Sequence, residues 1–203
     1  WFPPSSPAYN EDLEGYDYNP DKAKKLLEEA GYADGFKMEV IGIDNPAWGI
    51  PAVEAIMPYL RQVGIEVEPV LMGWGTISER VDSGNYDAAI TSGGGRLSAT
   101  KYIGHLFDPS LTREEGNNTQ YANEEFGKLL EEARNEPDFD KRIEILQRAE
   151  EILIDDAPIF PFNYSKGVLV YHPWVHGLEK ISREMTMQDL SKIWVDESSP
   201  RKQ

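Results

Sequence analysis

Between Phe36 and Thr91 the hydrophobic period of this chain changes four times, which restricts its fold more than any other feature. Phe36 to Ile43 alternates apolar and polar residues, placing Phe36, Met38 and Val40 on one face of a strand. From Ile50 to Val63 the spacing is helical, with Val53, Ile56, Met57 and Leu60 on one side, and Pro58 inside it predicts a kink or a short first turn. Ile65 to Met72 alternates again, Trp74 to Val81 reads as a short helix, and Tyr86 to Thr91 is apolar enough for a buried strand. Strand, helix, strand, helix, strand is the pattern of parallel βαβ units with right-handed crossovers.

Upstream lies a helix with both ends marked. Asn19 can cap it, Pro20 fits the first position because its missing N–H would be an orphan there, and Asp21 faces the positive end of the dipole. Tyr18 and Ala23 are spaced for a hydrophobic staple, and Ala23, Leu26, Leu27 and Ala30 make one apolar stripe. Gly31 supplies a left-handed residue after the helix, and Tyr32 can fold back on Leu27. The first 17 residues are irregular, with three prolines from Phe2 to Pro7, and read as a linker. Downstream, two more helices are expected near 123–135 (Phe126, Leu129, Leu130 and Ala133 inward) and 139–154 (Ile143, Leu146, Ala149, Ile152 and Leu153 inward). Pro158 to Phe162 reads as the start of a strand and Val168 to Tyr171 as another, and a disordered tail is expected from Ser198.

Composition excludes several classes. A net charge of −16 lacks the basic footprint that nucleic acid requires, so no nucleic-acid partner is expected. With no cysteine, a disulfide framework, thiol catalysis and cysteine metal sites are all absent. His172 and His176 are four apart, but Pro173 between them works against a helical ligand pair, so no metal is expected. No Gly-x-Ser-x-Gly occurs, and Gly93-Gly94-Gly95 is not followed by the Gly-Lys-Ser/Thr of a phosphate loop. No cofactor and no enzymatic activity are therefore expected. The rival of another class is a doubly wound α/β hydrolase or transferase, which would need a titratable cluster in its cleft.

Tyr18-Asn19-Pro20-Asp21-Lys22-Ala23, then Leu26-Leu27, Ala30-Gly31-Tyr32 and Gly35-Phe36, resembles the Y-x-P-x-K-A-x-x-L-L-x-x-A-G-Y-x-x-G-F segment of the extracellular solute-binding proteins of the oligopeptide and dipeptide transport type, family five. Leu60 to Val67 resembles that family's L-x-x-x-G-I-x-V turn, and Gly84 to Asp87 its G-x-Y-D. Asn118 to Asn123 resembles its N-x-x-Y-x-N, and Ile152 to Pro161 its I-L-x-x-x-P-x-x-P run. The resemblance implies an α/β lobe of the type-II periplasmic-binding-protein kind, with a mixed sheet flanked by helices. It implies a division into an irregular segment 1–17, a C-terminal solute-binding lobe 18–172, and a return segment and tail 173–203. It further implies the C-terminal part of the substrate-binding subunit of an ABC importer, which captures an oligopeptide or dipeptide outside the cytoplasm and delivers it to the inner-membrane permease. The alternative within the family is an oligosaccharide or another non-peptide solute. A periplasmic or cell-surface monomer, a lipoprotein in its full form, is expected. Trp1 to Pro4 offers no signal-peptide pattern, so the chain reads as a fragment.

Ligands of open α/β sheets sit beyond the C-terminal ends of strands. The expected ligand-binding residues there are Trp48, Trp74, Ser92, Gly94, Arg96 and Ser98, which mix aromatic stacking surface with hydrogen-bond donors. Asn163 and Ser165 join them, because Pro161 to Ser165 resembles the family's P-x-Y-x-Y strand. Where peptide-type members resemble G-W-x-x-D-Y-x-D-P, this chain reads Gly94-Gly95-Arg96-Leu97-Ser98. A guanidinium thus stands near the place of a carboxylate that holds a peptide's α-amine.

Overall fold

β1 (Phe36–Ile43) pairs in parallel with β2 (Ile65–Met72) on one side and with β3 (Ala88–Ile90) on the other, giving the order β2-β1-β3. The computed structural model describes residues 2–4, 6–92, 98–164, 170–178 and 190–200. The chain divides into two compact units, residues 1–160 and 161–203. In the first, α2 (Gly49–Gln62) crosses from β1 to β2 and α3 (Trp74–Ser83) from β2 to β3, as the changes of period predict. Pro58 lies inside α2. The central strand is covered most: Val40 and Ile41 are buried, and Ile41 packs with Ile77 and Val81 of α3. β2 is an edge strand, where Pro69 opposite Val40 can sit without removing a ladder bond from the sheet interior. The sheet is parallel throughout its described strands, where a mixed sheet is expected.

α1 (Pro20–Glu29) has the ends its sequence predicts. The Asn19 Oδ1 accepts from the Lys22 N–H at 2.9 Å. The Tyr32 N–H donates to the Leu27 carbonyl at 2.7 Å, around a Gly31 with φ of 86°. Tyr18, just before the cap, lies edge-on to Tyr59, with ring centroids 5.6 Å apart, and its hydroxyl donates to Gln62 at 2.6 Å. No residue of α1 is buried, so its apolar stripe stays at the surface of this unit.

Three helices build the larger core. α4 (Ala99–Phe107), α5 (Glu124–Asn135) and α6 (Phe139–Asp156) bury Ile103, Phe107, Phe126, Leu130, Leu146 and Leu153 together. The rings of Phe107, Tyr121 and Phe126 meet edge-to-face at 5.5 to 6.3 Å, a preferred aromatic geometry. α4 is absent from the sequence reading, because Gly104 and the preceding glycine run mask a helical pattern of Tyr102, Ile103, Leu106 and Phe107. Ile145 is buried where the spacing put Ile143, which is half-buried. The N-terminal segment is irregular but not detached: Phe2 and Ala8 are buried in this core, and the Phe2 N–H donates to the buried Glu150 at 2.7 Å.

Residues 158–164 form no strand, and neither do Val170 and Tyr171; Val168 lies outside the described residues. In the second unit β4 (Val175–His176) pairs antiparallel with β5 (Trp194–Val195). His172 stacks on Trp174 at 4.2 Å and His176 on Trp194 at 4.3 Å. His176 also pairs through Nε2 with Asp196 at 2.8 Å. Ser198, placed in a disordered tail by the sequence reading, donates its amide and hydroxyl to Asp196 at 2.8 and 2.6 Å.

Candidate functional site

The three parallel strands end nearly level. The register pairs Ile43 with Met72 and Gly42 with Ile90, so the segments following β1, β2 and β3 leave from one edge of the sheet. Trp48 and Trp74 stand where α2 and α3 begin at that edge. Ser92 is exposed two residues after β3, and Ser98 caps α4 by accepting from the Lys101 N–H at 3.5 Å. Gly94, Arg96 and Ser165 lie outside the described residues. Asn163 is exposed in the second unit.

The two tryptophans differ in surroundings. Trp48 is half-buried and its turn is closed: Asn45 Oδ1 accepts from the Ala47 N–H at 2.8 Å, and the Ile50 N–H donates to the Asn45 carbonyl at 3.0 Å. Pro51, third in α2, has no N–H to satisfy. Gly49 lets the helix start directly against β1, because a Cβ there would stand 2.1 Å from the Ile43 carbonyl oxygen. Trp74 is 53% exposed, and α3 has no side-chain cap. α2 also starts without a side-chain cap, at Trp48, whereas α1, α4, α5 and α6 are capped by Asn19, Ser98, Asn123 and Asp138. Nothing lies within 4 Å of a Cβ built on Gly73 or Gly75. The start of α3 thus joins an exposed indole, open space and the first-turn N–H groups at the positive end of a helix. A carbonyl or carboxylate could accept from those amides while an apolar group lies on Trp74. The amides of Gly75 and Thr76 escape a reading based on side chains; their sequence signal is a helix that opens on Gly-Trp-Gly where a Ser, Thr, Asp or Asn cap would ordinarily stand.

The motif residues of the helical part form structure. Asn118 donates to the Arg113 carbonyl at 2.9 Å and to Asp82 at 3.3 Å, while the Tyr86 hydroxyl donates to the Asn118 carbonyl at 3.0 Å. Asn123 accepts from the Phe126 N–H at 3.0 Å and donates to Asp156 at 2.7 Å, and the Tyr121 hydroxyl reaches the same carboxylate at 2.5 Å. Burial, then the Asp156 carboxylate, pushes the Tyr121 phenol upward. Asp108 is 5% exposed. Burial alone would raise its pKa, but hydrogen bonds from Ser110 and Arg134 outweigh that and hold the carboxyl below its usual range. Among the described residues no group of three or more histidine and acidic side chains is arranged to hold a metal ion. Nor is any helix among them long and apolar enough to cross a membrane.

A parallel sheet with helices opening at its strand ends is an open α/β architecture, in which ligands sit beyond the carboxyl ends of the strands. The chain belongs to the bacterial extracellular solute-binding proteins, family 5, whose middle-region model matches residues 1–112. It is 31% identical over 181 residues to heme-binding protein A of Haemophilus influenzae, covering 86% of this chain and 33% of that protein. It is 26% identical to the dipeptide-binding protein of Escherichia coli, covering 90% of this chain and 37% of that protein. Among solved structures it resembles the periplasmic binding protein DppA of Helicobacter pylori in complex with the peptide STSA. That match has a TM-score of 0.69 and 28% identity over 77% of this chain and 31% of that one. The fold is thus that of the periplasmic binding proteins, as its motifs imply. The chain spans about a third of the length of the curated relatives it matches.

Proposed function

We propose that this chain is the C-terminal part of the substrate-binding subunit of an ABC importer, with residues 18–172 forming the solute-binding lobe between segment 1–17 and the return segment 173–203. It holds a di- or oligopeptide outside the cytoplasm, and the full protein, a periplasmic or surface-anchored monomer, hands that solute to the inner-membrane permease. The role is capture, not catalysis. Family membership and relatives named for dipeptides support the solute class. The observation that carries the placement is the uncapped start of α3 beside the exposed Trp74, at the edge where the three strands end. Peptide carbonyls or a terminal carboxylate match the donors there, and side chains match the indole. Trp48, Ser92, Gly94, Arg96 and Ser98 complete the proposed contacts of the first unit.

A thermal-shift comparison on the full-length protein tests this. A dipeptide at about 100 times its dissociation constant adds about 2.7 kcal/mol of stability. Stabilisation by di- and tripeptides, and none by oligosaccharides, supports the reading. The reverse result replaces it with the non-peptide alternative.

A further inference from the structure

A hollow of about 710 Å³ lies between α4, α5 and α6, and its walls invert the charge of the molecule. Lys101, His105, Arg134 and Arg142 line it, whereas no aspartate or glutamate among the described residues does, in a chain with 36 acidic side chains and a net charge of −16. Leu111, Phe139, Ile143 and Leu146 supply apolar wall. The nearest countercharges serve Arg134, which pairs with Asp108 at 2.5 Å and Glu131 at 3.6 Å. Arg142 donates to the Glu136 carbonyl at 3.1 Å and lies over the Phe139 ring at 5.8 Å, which leaves its positive charge uncompensated by a carboxylate among the described residues. Lys101 projects from the first turn of α4, where a cation opposes the helix dipole and gains nothing from it. That placement costs stability locally, and an anion in the hollow would offset it.

We propose that this hollow binds a small amphipathic organic anion, with a carboxylate or phosphate head against Lys101 and Arg142 and an apolar body against Leu111, Phe139 and Ile143. The size suits a compact ligand, since such pockets run from about 300 to 1,000 Å³. A protein of strongly negative charge repels anions at long range, so the site favours ligands whose apolar part adds to a short-range, desolvated charge contact. The proposal does not depend on the importer role, because the hollow is built on the helices and meets the strand-end site only at Ser98.

The test is a titration of the 15N-labelled 203-residue chain at low ionic strength, followed by amide shifts. Three matched probes are used: 3-phenylpropanoate, phenyl phosphate and the neutral 3-phenylpropan-1-ol. Both or either anion is expected to shift the amides of Lys101–His105 and Arg134–Leu146, the tighter one naming the head group, with the alcohol much weaker. Lys101→Glu, and the gentler Lys101→Gln, are expected to weaken the anion by about five- to tenfold, whereas Lys25→Glu on α1 leaves it unchanged. Equal binding of the alcohol, shifts confined to other regions, or equal losses for Lys101→Glu and Lys25→Glu would overturn the proposal. Failure of peptide binding in the full-length protein would leave these outcomes untouched.

Discussion

The helical part of the first unit, residues 98–160, and its sheet part, residues 18–92, use their apolar residues differently. In the helical part Phe107, Phe126, Leu130, Leu146 and Leu153 are all at most 1% exposed, and Tyr121 and Asn123 share the Asp156 carboxylate. In the sheet part α1 buries nothing, Tyr18, Tyr59 and Trp74 are more than half exposed, and Leu71 of the edge strand is 38% exposed. The first region closes its own core and the second presents surfaces. Stability should therefore respond to substitutions in the helices, and recognition to substitutions at the strand ends.

The largest effect expected is Phe107→Ala, which removes a fully buried ring at the centre of the aromatic cluster and should cost about 3–5 kcal/mol in urea unfolding. Leu26→Ala, on the uncovered face of α1, should change stability by less than about 0.5 kcal/mol. Similar costs for the two would erase the contrast. Next comes Gly49→Ala in the sheet part, where the new methyl would overlap the Ile43 carbonyl and force α2 away from β1, at about 1–3 kcal/mol. Asn123→Ala removes the α5 cap and should cost about 0.5–2 kcal/mol, at least as much as Asn19→Ala on the exposed α1.

The smallest effect is a pH dependence. Asp108 has a folded pKa below its unfolded value, so its contribution is present above the unfolded value and is lost as pH falls through the folded one. Asp108→Asn should flatten the acid limb of the stability curve, and an unchanged limb would remove Asp108 from that account. In the second unit, hydrogen bonds from Ser198, then from His176, hold Asp196 down at about 2, so the contacts of β4 and β5 should persist on acidification until well below pH 3.8. Tryptophan fluorescence of Trp194 follows that transition.

Period changes between Phe36 and Met72 place β1 and β2 with the bounds the structure has, because alternation is strongly specified where strands pair and faces differ in burial. Asn19, Pro20 and Gly31 likewise fix both ends of α1 through local hydrogen bonds. Nonlocal outcomes were less legible. Tyr18 meets Tyr59 of α2, and Phe2 joins a core built from residues 100 and more positions away. The site divides in the same way. Trp48 and Trp74 follow from strand-end logic, whereas the open amides of α3 show only once its start is seen to lack a side-chain cap beside an exposed indole. The hollow of Lys101 and Arg142 depends on α4, a helix concealed by Gly104 and by the glycine run that precedes it in the sequence.

Thr76→Pro tests the central claim most directly. It deletes a backbone donor at the third position of α3, a position where α2 already carries Pro51, so the helix should form as before. Calorimetric titration of the full-length protein with its peptide solute should show affinity reduced about tenfold or more with the unfolding midpoint unchanged, as expected when a charge-assisted hydrogen bond is lost. Undiminished affinity in a normally folded Thr76→Pro protein would contradict the assignment of the α3 start as the solute contact.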